Sequence, residues 1–398
     1  MDRKAQQIDN LKSQITKTQY GSKEYAILTQ DQKNAEKLLK QDTELVDQHN
    51  RAINAFLDQA VDMYSRCLEA TDDFDEDGAI RLCSLWFANF ENPTIQQKIG
   101  VALNRTPSRK FVFLAHQLSA RMTKSSETVV PEHQVNLQSL IVRMCKEHPF
   151  HSLYQVYCLK ADHASVQTNR RRSTRHESSP RDRAAAAISI FDQLRGDPAV
   201  SRIVCDVERV SDACLEWAKH PIKHIYGNRT QKLKPPFPIP DTMAIRNLKS
   251  MKVPVITVDT PLDPTLKYSD CVWILRFEAS FATAGGVNLP KITVCVGNDG
   301  VKYKQLVGCL VGLWTNEESS LRLLQFKGEG ADDLRQDAVM EQVFQLVNVI
   351  LDKDRETKRR SLCVRNYKVI PLASQAGVLE FVQNTTPLQA WLSMAHLR

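Results

Sequence analysis

The first 160 positions of the chain carry apolar residues at the spacing of an amphipathic helix, in segments separated by prolines. One such stripe contains Ile53, Phe56, Leu57, Ala60, Val61 and Tyr64. No strict repeat period is visible, which excludes a regular repeat array. The pattern therefore predicts irregular helix pairs stacked as a solenoid over residues 1–160, with a simple helical bundle as the alternative.

After residue 253 the apolar residues alternate at the period of a β-strand. Predicted strands cover residues 255–259, 272–278, 291–296, 301–307, 362–370 and 378–382. A Gly-Asn-Asp-Gly cluster at 297–300 separates two of them and is typical of a β-hairpin. We therefore expect a small α+β lobe, with about six strands in an antiparallel sheet and one long helix packed on it.

The long helix is predicted from an apolar and a polar set of positions that begin after residue 332. The apolar positions are Val339, Val343, Leu346, Val347 and Ile350. The polar positions are Asp333, Asp337, Glu341 and Gln345. This division into two faces is typical of an amphipathic helix.

Two segments interrupt the predicted helices and strands. Residues 169–183 are basic, rich in serine and almost devoid of apolar side chains, which predicts a disordered loop. Residues 235–240 contain four prolines and predict a linker without regular structure. Between them, residues 184–193 and 202–219 are predicted helices, with Trp217 in the core. The expected organisation is a helical repeat region at 1–160, a second helical region at 161–253, and the small lobe at 254–398.

Composition is ordinary for a globular chain, with 42% hydrophobic and 25% charged residues and a net charge of +7. The ten cysteines form no Cys-x-x-Cys pair, which favours reduced thiols and a cytosolic or nuclear protein. Cys145, His148 and His151 lack a second ligand cluster, so no metal site is predicted. The N-terminus lacks an apolar signal core, and no apolar run reaches the roughly 20 residues of a membrane helix, so no membrane association is expected. The basic loop has no aromatic residue to stack on bases, and direct contact with nucleic acid is not expected.

Candidate chemistry lies in residues 326–337, which read Phe-Lys-Gly-Glu-Gly-Ala-Asp-Asp-Leu-Arg-Gln-Asp. The pattern predicts that Lys327 ends a strand and that Asp332 lies at the start of the long helix, where a carboxylate is favoured. Kinases hold a strand lysine against nucleotide phosphates with such a helix carboxylate. The plain alternative is a polar turn that caps a helix.

The string Lys-Gly followed by Asp-Asp-Leu-Arg-Gln-Asp resembles the lysine segment of the phosphatidylinositol 3-kinase-like superfamily. Residues 284–292, Ala-Gly-Gly-Val-Asn-Leu-Pro-Lys-Ile, are similar to its protein-kinase branch, and within it to the ATM/Tel-type checkpoint kinases. Residues 367–372 and 377–382 fit the same family. Residues 81–87 and 148–151 resemble the end of the FAT helical domain, which clamps the kinase domain in that family.

The resemblance implies an ATP-binding lobe with named contacts. Lys327 would contact the phosphates, Asp332 would be its acidic partner, and Asp337 would line the inner wall of the pocket. Lys291 would add a second positive charge, with a solvated strand lysine as an equally weighted alternative. The backbone of a hinge formed by Glu380, Phe381 and Val382 would bind adenine.

The sequence departs from the family in two respects. We find no catalytic-loop string, no Asp-Phe-Gly-like magnesium motif and no terminal FATC segment. No catalytic residue and no metal ligand is therefore assigned, and we expect a C-terminally truncated chain that cannot transfer phosphate by itself. In the family, the strand that precedes the lysine is joined to it almost directly. Here residues 308–325 intervene between that strand and Lys327, and we interpret most of them as added sequence.

The leading interpretation is a fragment of an ATM/Tel-type serine/threonine kinase. The resemblance implies that the intact parent uses ATP and magnesium and phosphorylates proteins at Ser/Thr-Gln sites in DNA-damage and telomere signalling. It further implies a nuclear location, DNA-damage sensor proteins as partners, and homodimers. The alternatives are a lipid-kinase fragment, a non-catalytic helical scaffold and, last, a DNA-binding module.

Overall fold

A computed structural model describes residues 2–124, 130–162, 180–221, 235–284, 290–309, 333–385 and 391–392. The chain divides into two compact units, Met1–Thr106 and Pro107–Arg398. The domain boundaries expected at residues 160 and 253 concern the family's domains and stay predictions.

The first unit contains four helices: α1 (Asp2–Lys17), α2 (Lys23–Ala70), α3 (Asp75–Ala88) and α4 (Pro93–Arg105). Side-chain caps begin two of them. The Ser22 hydroxyl accepts a hydrogen bond from the Tyr25 amide at 3.1 Å, and Asn92 caps α4 directly before a proline at the first helical position.

The core of the first unit lies where α2, α3 and α4 meet. Trp86 is fully buried, and its indole nitrogen donates to Gln96 Oε1 at 2.8 Å. The stripe predicted on α2 is only partly correct, because Val61 is buried whereas Ile53 is 50% exposed and Phe56 is 71% exposed. A helix of 48 residues is longer than the elements that pack on it here, so periodicity alone did not identify the buried positions.

The second unit begins with a layer of helices. These are a 3₁₀ helix (Ser108–Leu114), α5 (Ala115–Ser119), α6 (Glu132–Glu147), α7 (Pro149–Asp162), α8 (Pro180–Arg195) and α9 (Ser201–Lys219). Helix α7 is central, because it contacts α5, α6, α8 and α9 and buries most of its side chains. The helices predicted within α8 and α9 are confirmed, and Trp217 is fully buried as expected.

A six-stranded antiparallel sheet lies on these helices. Its strands are β1 (Phe237–Pro238), β2 (Ile274–Thr283), β3 (Lys291–Gly297), β4 (Lys302–Cys309), β5 (Val369–Ala373) and β6 (Ala376–Glu380). The spatial order is β1-β2-β3-β4-β6-β5. The predicted β3–β4 hairpin is confirmed. Its turn requires Gly300, which has a φ of +80°, in the left-handed region that glycine tolerates best.

Three local predictions for the sheet are wrong. Residues 255–259 form no strand, although Val255 is fully buried and its amide donates to Val272 at 2.8 Å. Residues 362–368 are irregular and only Val369 begins β5. The proline-rich segment is not free of regular structure, since Phe237 and Pro238 pair with β2. A proline is tolerated there because β1 is at the edge of the sheet.

The two faces of the sheet differ in what covers them. One face packs on α7 and α9, and its residues Thr293, Gln305, Val307 and Val378 are fully buried. On the other face lies α10 (Leu334–Lys353), followed by the short α11 (Arg355–Arg359). Leu334 and Ala338 of α10 pack there on Val369 and Leu379.

The long helix is confirmed as α10, but the stripe identified from the sequence is not its packed face. Val343, Leu346 and Ile350 are 41%, 45% and 65% exposed, while Glu341 is buried. The Glu341 carboxylate accepts a hydrogen bond from the Tyr367 amide at 3.2 Å, which satisfies it inside the fold. In the described part of the chain, no helix is both long and apolar enough to cross a membrane.

Candidate functional site

Among the described residues, helix α10 packs on the β5–β6 half of its face of the sheet. A cavity of about 310 Å³ lies on the β2–β3–β4 half of the same face. Its lining includes Pro236, Ala282, Ile292, Val294, Lys304 and Phe381. Ligand pockets for small molecules typically measure about 300–1,000 Å³ and are lined mostly by apolar groups. The cavity therefore has the size and the lining of a small ligand site.

The register of the β3–β4 hairpin decides which side chains face this cavity. Ile292 pairs with Leu306 and Val294 pairs with Lys304, so these four side chains share one face. The Lys304 ammonium lies 5.7 Å from the centre of the Phe381 ring, within range of a cation–π contact. Among the described residues that line the cavity, Lys304 therefore carries the positive charge.

Sequence reasoning missed Lys304. The signal that identifies it is the hairpin register, because a short turn fixes which residues of two strands lie opposite each other. Counting from the turn places Lys304 beside Val294 and on the face opposite to Lys291.

Lys291 does not face the cavity. It is only 4% exposed, and its ammonium donates to the carbonyl oxygens of Trp217 at 2.6 Å and Ala218 at 2.9 Å. It also lies 4.8 Å from the centre of the Trp217 ring. A cation is favoured at the last carbonyls of a helix, here those of α9. The alternative of a solvated strand lysine is therefore wrong, and this geometry gives no support to a second phosphate contact.

The predicted hinge begins at Glu380, the last residue of β6, at the edge of the cavity. The amide of Glu380 donates to the Lys368 carbonyl at 2.8 Å, and the amide of Phe381 donates to the Lys304 carbonyl at 3.3 Å. These two amides are engaged within the protein, so they do not support the adenine contact expected of them. The contribution of the Phe381 ring to the cavity was not predicted, and the contact expected of Val382 stays a prediction.

Asp337 lies in the first turn of α10 and is exposed. Burial raises the pKa of the Tyr367 hydroxyl, and the charges of Glu341 and Asp337 add to that effect. Asp337 lies one turn before Glu341, whose carboxylate accepts from the Tyr367 amide where the segment before β5 passes α10. Its predicted place on the inner wall of a nucleotide pocket stays a prediction.

Lys327 and Asp332 lie outside the described residues. The segment 308–325, interpreted above as added sequence, also lies outside them from residue 310 onward. The proposed pairing of this lysine with this acid therefore stays a prediction. Over the described ranges, His, Cys, Asp and Glu side chains form no group that could hold a metal ion.

The fold and the cavity define a class of protein. A small antiparallel sheet with one long helix on one face, a cavity on the same face and helices behind the sheet is the arrangement expected of a kinase N-terminal lobe with its helical support. Residues 324–396 match the family model described as "Phosphatidylinositol 3- and 4-kinase".

Individual relatives agree with this class. The chain is 32% identical over 361 residues to "Serine/threonine-protein kinase tel1" of Emericella nidulans, covering 87% of this chain and 11% of that protein. It is 35% identical over 352 residues to "Serine-protein kinase ATM" of Sus scrofa, covering 85% of this chain and 10% of that protein. The solved structure "FAT and kinase domain of CtTel1" superimposes with a TM-score of 0.74 at 28% identity, covering 99% of this chain and 25% of that one.

The chain belongs to the ATM/Tel-type family of phosphatidylinositol 3-kinase-related protein kinases. It spans about a tenth of the length of the relatives that it matches. The predicted fold class, a FAT-type helical array followed by a small α+β kinase N-lobe, is confirmed.

Proposed function

We propose that this chain forms the ATP-binding lobe, with its helical support, of an ATM/Tel-type serine/threonine protein kinase. The observation that carries the proposal is the cavity on the β2–β3–β4 half of the sheet, which has apolar walls and Lys304 at its side. Its apolar and aromatic lining suits a flat heteroaromatic ring. The cationic side chain of Lys304 can attract the negatively charged phosphates of a nucleoside triphosphate.

The described residues would divide the work between base and phosphate. Ile292, Val294 and Phe381 would bury the adenine ring, and Lys304 would attract the phosphates. Lys327, with Asp332, is proposed as the main phosphate contact by family resemblance. ATP and its magnesium supply the transferred phosphoryl group in such kinases, and positioning rather than covalent chemistry is what the protein contributes.

We further propose that the chain by itself does not transfer phosphate, because its sequence contains no catalytic-loop or magnesium-binding motif that we can identify. Its role is then to hold nucleotide for residues supplied by another part of the enzyme. A phosphate-transfer assay with the purified chain tests this, and transfer that Lys327→Ala abolishes would overturn it.

The wider role follows from the relatives. The two relatives named above are described as a serine/threonine-protein kinase and a serine-protein kinase, which favours a protein substrate over a lipid. A matched structure is described as "Complete CtTel1 dimer with C2 symmetry". We propose a nuclear kinase of DNA-damage and telomere signalling that forms homodimers and acts on proteins recognised by sensor partners.

Titration calorimetry with a non-hydrolysable ATP analogue tests the nucleotide site. Phe381→Ala removes an aromatic wall of the cavity and should weaken binding about tenfold, equivalent to about 1.4 kcal/mol. Phe56→Ala is the matched control, because Phe56 is 71% exposed on α2. The control should leave the affinity unchanged.

Two results would contradict the nucleotide site. One is a wild-type chain that binds no analogue at millimolar concentration while remaining folded by circular dichroism. The other is equal affinity in the Phe381 and Phe56 variants, which would locate the nucleotide elsewhere.

A further inference from the structure

The first turn of α10 is tied to the end of α7 by an acid. Arg335 lies one residue into α10, and its guanidinium donates to Asp162 Oδ2 at 3.1 Å. The same guanidinium contacts Asp333, which caps the helix by accepting from the Arg335 amide at 2.9 Å. Burial opposes the charge on Arg335, but the hydrogen bonds to Asp333 and the charge of Asp162 outweigh it and raise its pKa. The arginine is therefore held as a cation between two carboxylates.

The same acid also holds the turn between β5 and β6. Asp162 Oδ1 accepts a hydrogen bond from the Ser374 amide at 2.8 Å. The Ser374 carbonyl in turn accepts from the Leu334 amide at 2.9 Å, at the first residue of α10. One carboxylate thus fixes two pieces of chain that are themselves bonded to each other.

Asp162 is well placed to act as a fixed support. Its side chain is 13% exposed, and it ends a helix whose other residues are mostly buried. A second contact holds α10 further along, where Gln342 donates to the Phe113 carbonyl at 3.2 Å and accepts from Gln117. The helical layer therefore holds α10 at its start and near its middle.

We propose that Asp162 is a positioning residue, which sets the place of α10 and the β5–β6 turn relative to the cavity. The proposal rests on the nucleotide site proposed above, because Phe381, in the wall of that cavity, directly follows β6. Asp162 is not among the residues that line the cavity. It acts through Arg335 and Ser374, and β6 carries the position of the turn to Phe381 in the cavity wall.

The contact is worth more than a surface ion pair. Exposed pairs contribute little, because water and salt screen them. Here one carboxylate, only 13% exposed, accepts from a guanidinium and from a backbone amide, so its removal leaves both donors without that partner.

The test uses the whole chain with four substitutions. Asp162→Asn keeps the shape and an acceptor but removes the charge, and Asp162→Glu restores the charge. Arg335→Gln removes the other partner. Asp192→Asn is the matched control, because Asp192 is an exposed acid paired with Arg195 on α8 and touches neither α10 nor the turn.

Two measurements are made on each variant: hydrogen exchange of peptides covering residues 334–345 and 369–380, and affinity for an ATP analogue. We expect Asp162→Asn to speed exchange in both peptides but not in α9, and to weaken nucleotide binding about two- to tenfold. Asp162→Glu should restore the affinity, and Asp192→Asn should resemble the wild type. The double variant of Asp162→Asn and Arg335→Gln should lose less affinity than the sum of the two single losses, because both changes remove the same Asp162–Arg335 contact.

Unchanged exchange in both peptides of Asp162→Asn would overturn the positioning role, as would exchange that rises equally in α9. Faster exchange with unchanged nucleotide affinity would also overturn it. If the wild type binds no nucleotide, the proposed function fails, and the exchange measurement still decides whether Asp162 fixes α10.

Discussion

Lys291 illustrates how a buried cation is made tolerable in this protein. Its ammonium meets two carbonyl oxygens at the end of α9 and the face of Trp217. Each carbonyl replaces a water that the charge loses on burial, and the negative end of the helix dipole favours a cation at that position. The lysine therefore joins β3 to α9, which is a structural role.

We expect Lys291→Met to lower the free energy of unfolding by about 2 kcal/mol, because it removes hydrogen bonds from a charged group to buried acceptors. Affinity for an ATP analogue should stay within about twofold of the wild type. Chemical denaturation and calorimetry measure the two quantities. Lys302→Met is the control, since Lys302 is 67% exposed. A large loss of affinity with unchanged stability would contradict the structural role and support a phosphate contact of Lys291.

At the scale of elements, α10 shows that an amphipathic pattern does not name the packed face. The contacts to the sheet come from Leu334 and Ala338, which are one turn apart, and Glu341 continues the same face. The more apolar face contains Val343, Leu346 and Ile350 and is exposed among the described residues. A hydrophobic stripe predicts that a helix forms, whereas the neighbours available in the fold decide which side is buried.

Two leucines on this one helix give a matched comparison. Leu334→Ala should destabilise the protein by about 3 kcal/mol, because Leu334 is 2% exposed and its removal leaves a cavity against Val369. Leu346→Ala should cost less than about 0.5 kcal/mol, because Leu346 is 45% exposed and alanine favours the helix. Denaturant midpoints compare the two variants. Equal losses would mean that the apolar stripe of α10 is the packed face.

Strands show the same limit. The β3–β4 hairpin is readable from its turn residues, because a Gly-Asn-Asp-Gly cluster between alternating segments fixes the local geometry. Residues 255–259 alternate in a similar way but form no strand. Val255 is buried there without a continuous partner strand, so burial alone gives the same apolar pattern as a strand. Nothing in the local sequence indicates that Phe237 and Pro238 pair with β2.

At the scale of the whole molecule, the half-buried His116 and the buried His148 link stability to pH. Burial, with the charge of Arg335 as the second cause, lowers the pKa of His116 from 6.5 to about 4. Burial, followed by the charge of His151, lowers the pKa of His148 from 6.5 to about 4. The unfolded chain therefore binds protons at these sites between pH 6.5 and 4, where the folded chain does not. The contribution of these two histidines to the free energy of unfolding is fully present above pH 6.5 and is lost as the pH falls through this window.

We expect the free energy of unfolding to fall by about 1.4 kcal/mol per pH unit for each of these histidines near pH 5. His116→Gln should reduce the slope by about one such contribution, because glutamine does not titrate. His49→Gln is the control, since the His49 side chain is exposed. Urea unfolding at several pH values measures the slope. A slope that is the same in the wild type and in His116→Gln would contradict the assignment.

The sequence by itself determined the local structure and the family. The period of its apolar residues identified the helices and most strands of the lobe, because side-chain spacing follows backbone geometry. The Lys-Gly and Asp-Asp-Leu-Arg-Gln-Asp string, with the segments around residues 284–292 and 377–382, carried the kinase resemblance.

Only the tertiary structure decided which residues meet. Lys291 and Trp217 are 74 positions apart, and Asp162 and Arg335 are 173 positions apart. The face of the sheet that holds the cavity, the buried side of α10 and the role of Asp162 all depend on such pairs. Periodicity fixes where a side chain points on its own element, but the neighbour that it finds depends on how distant elements pack, which the pattern within one segment does not specify.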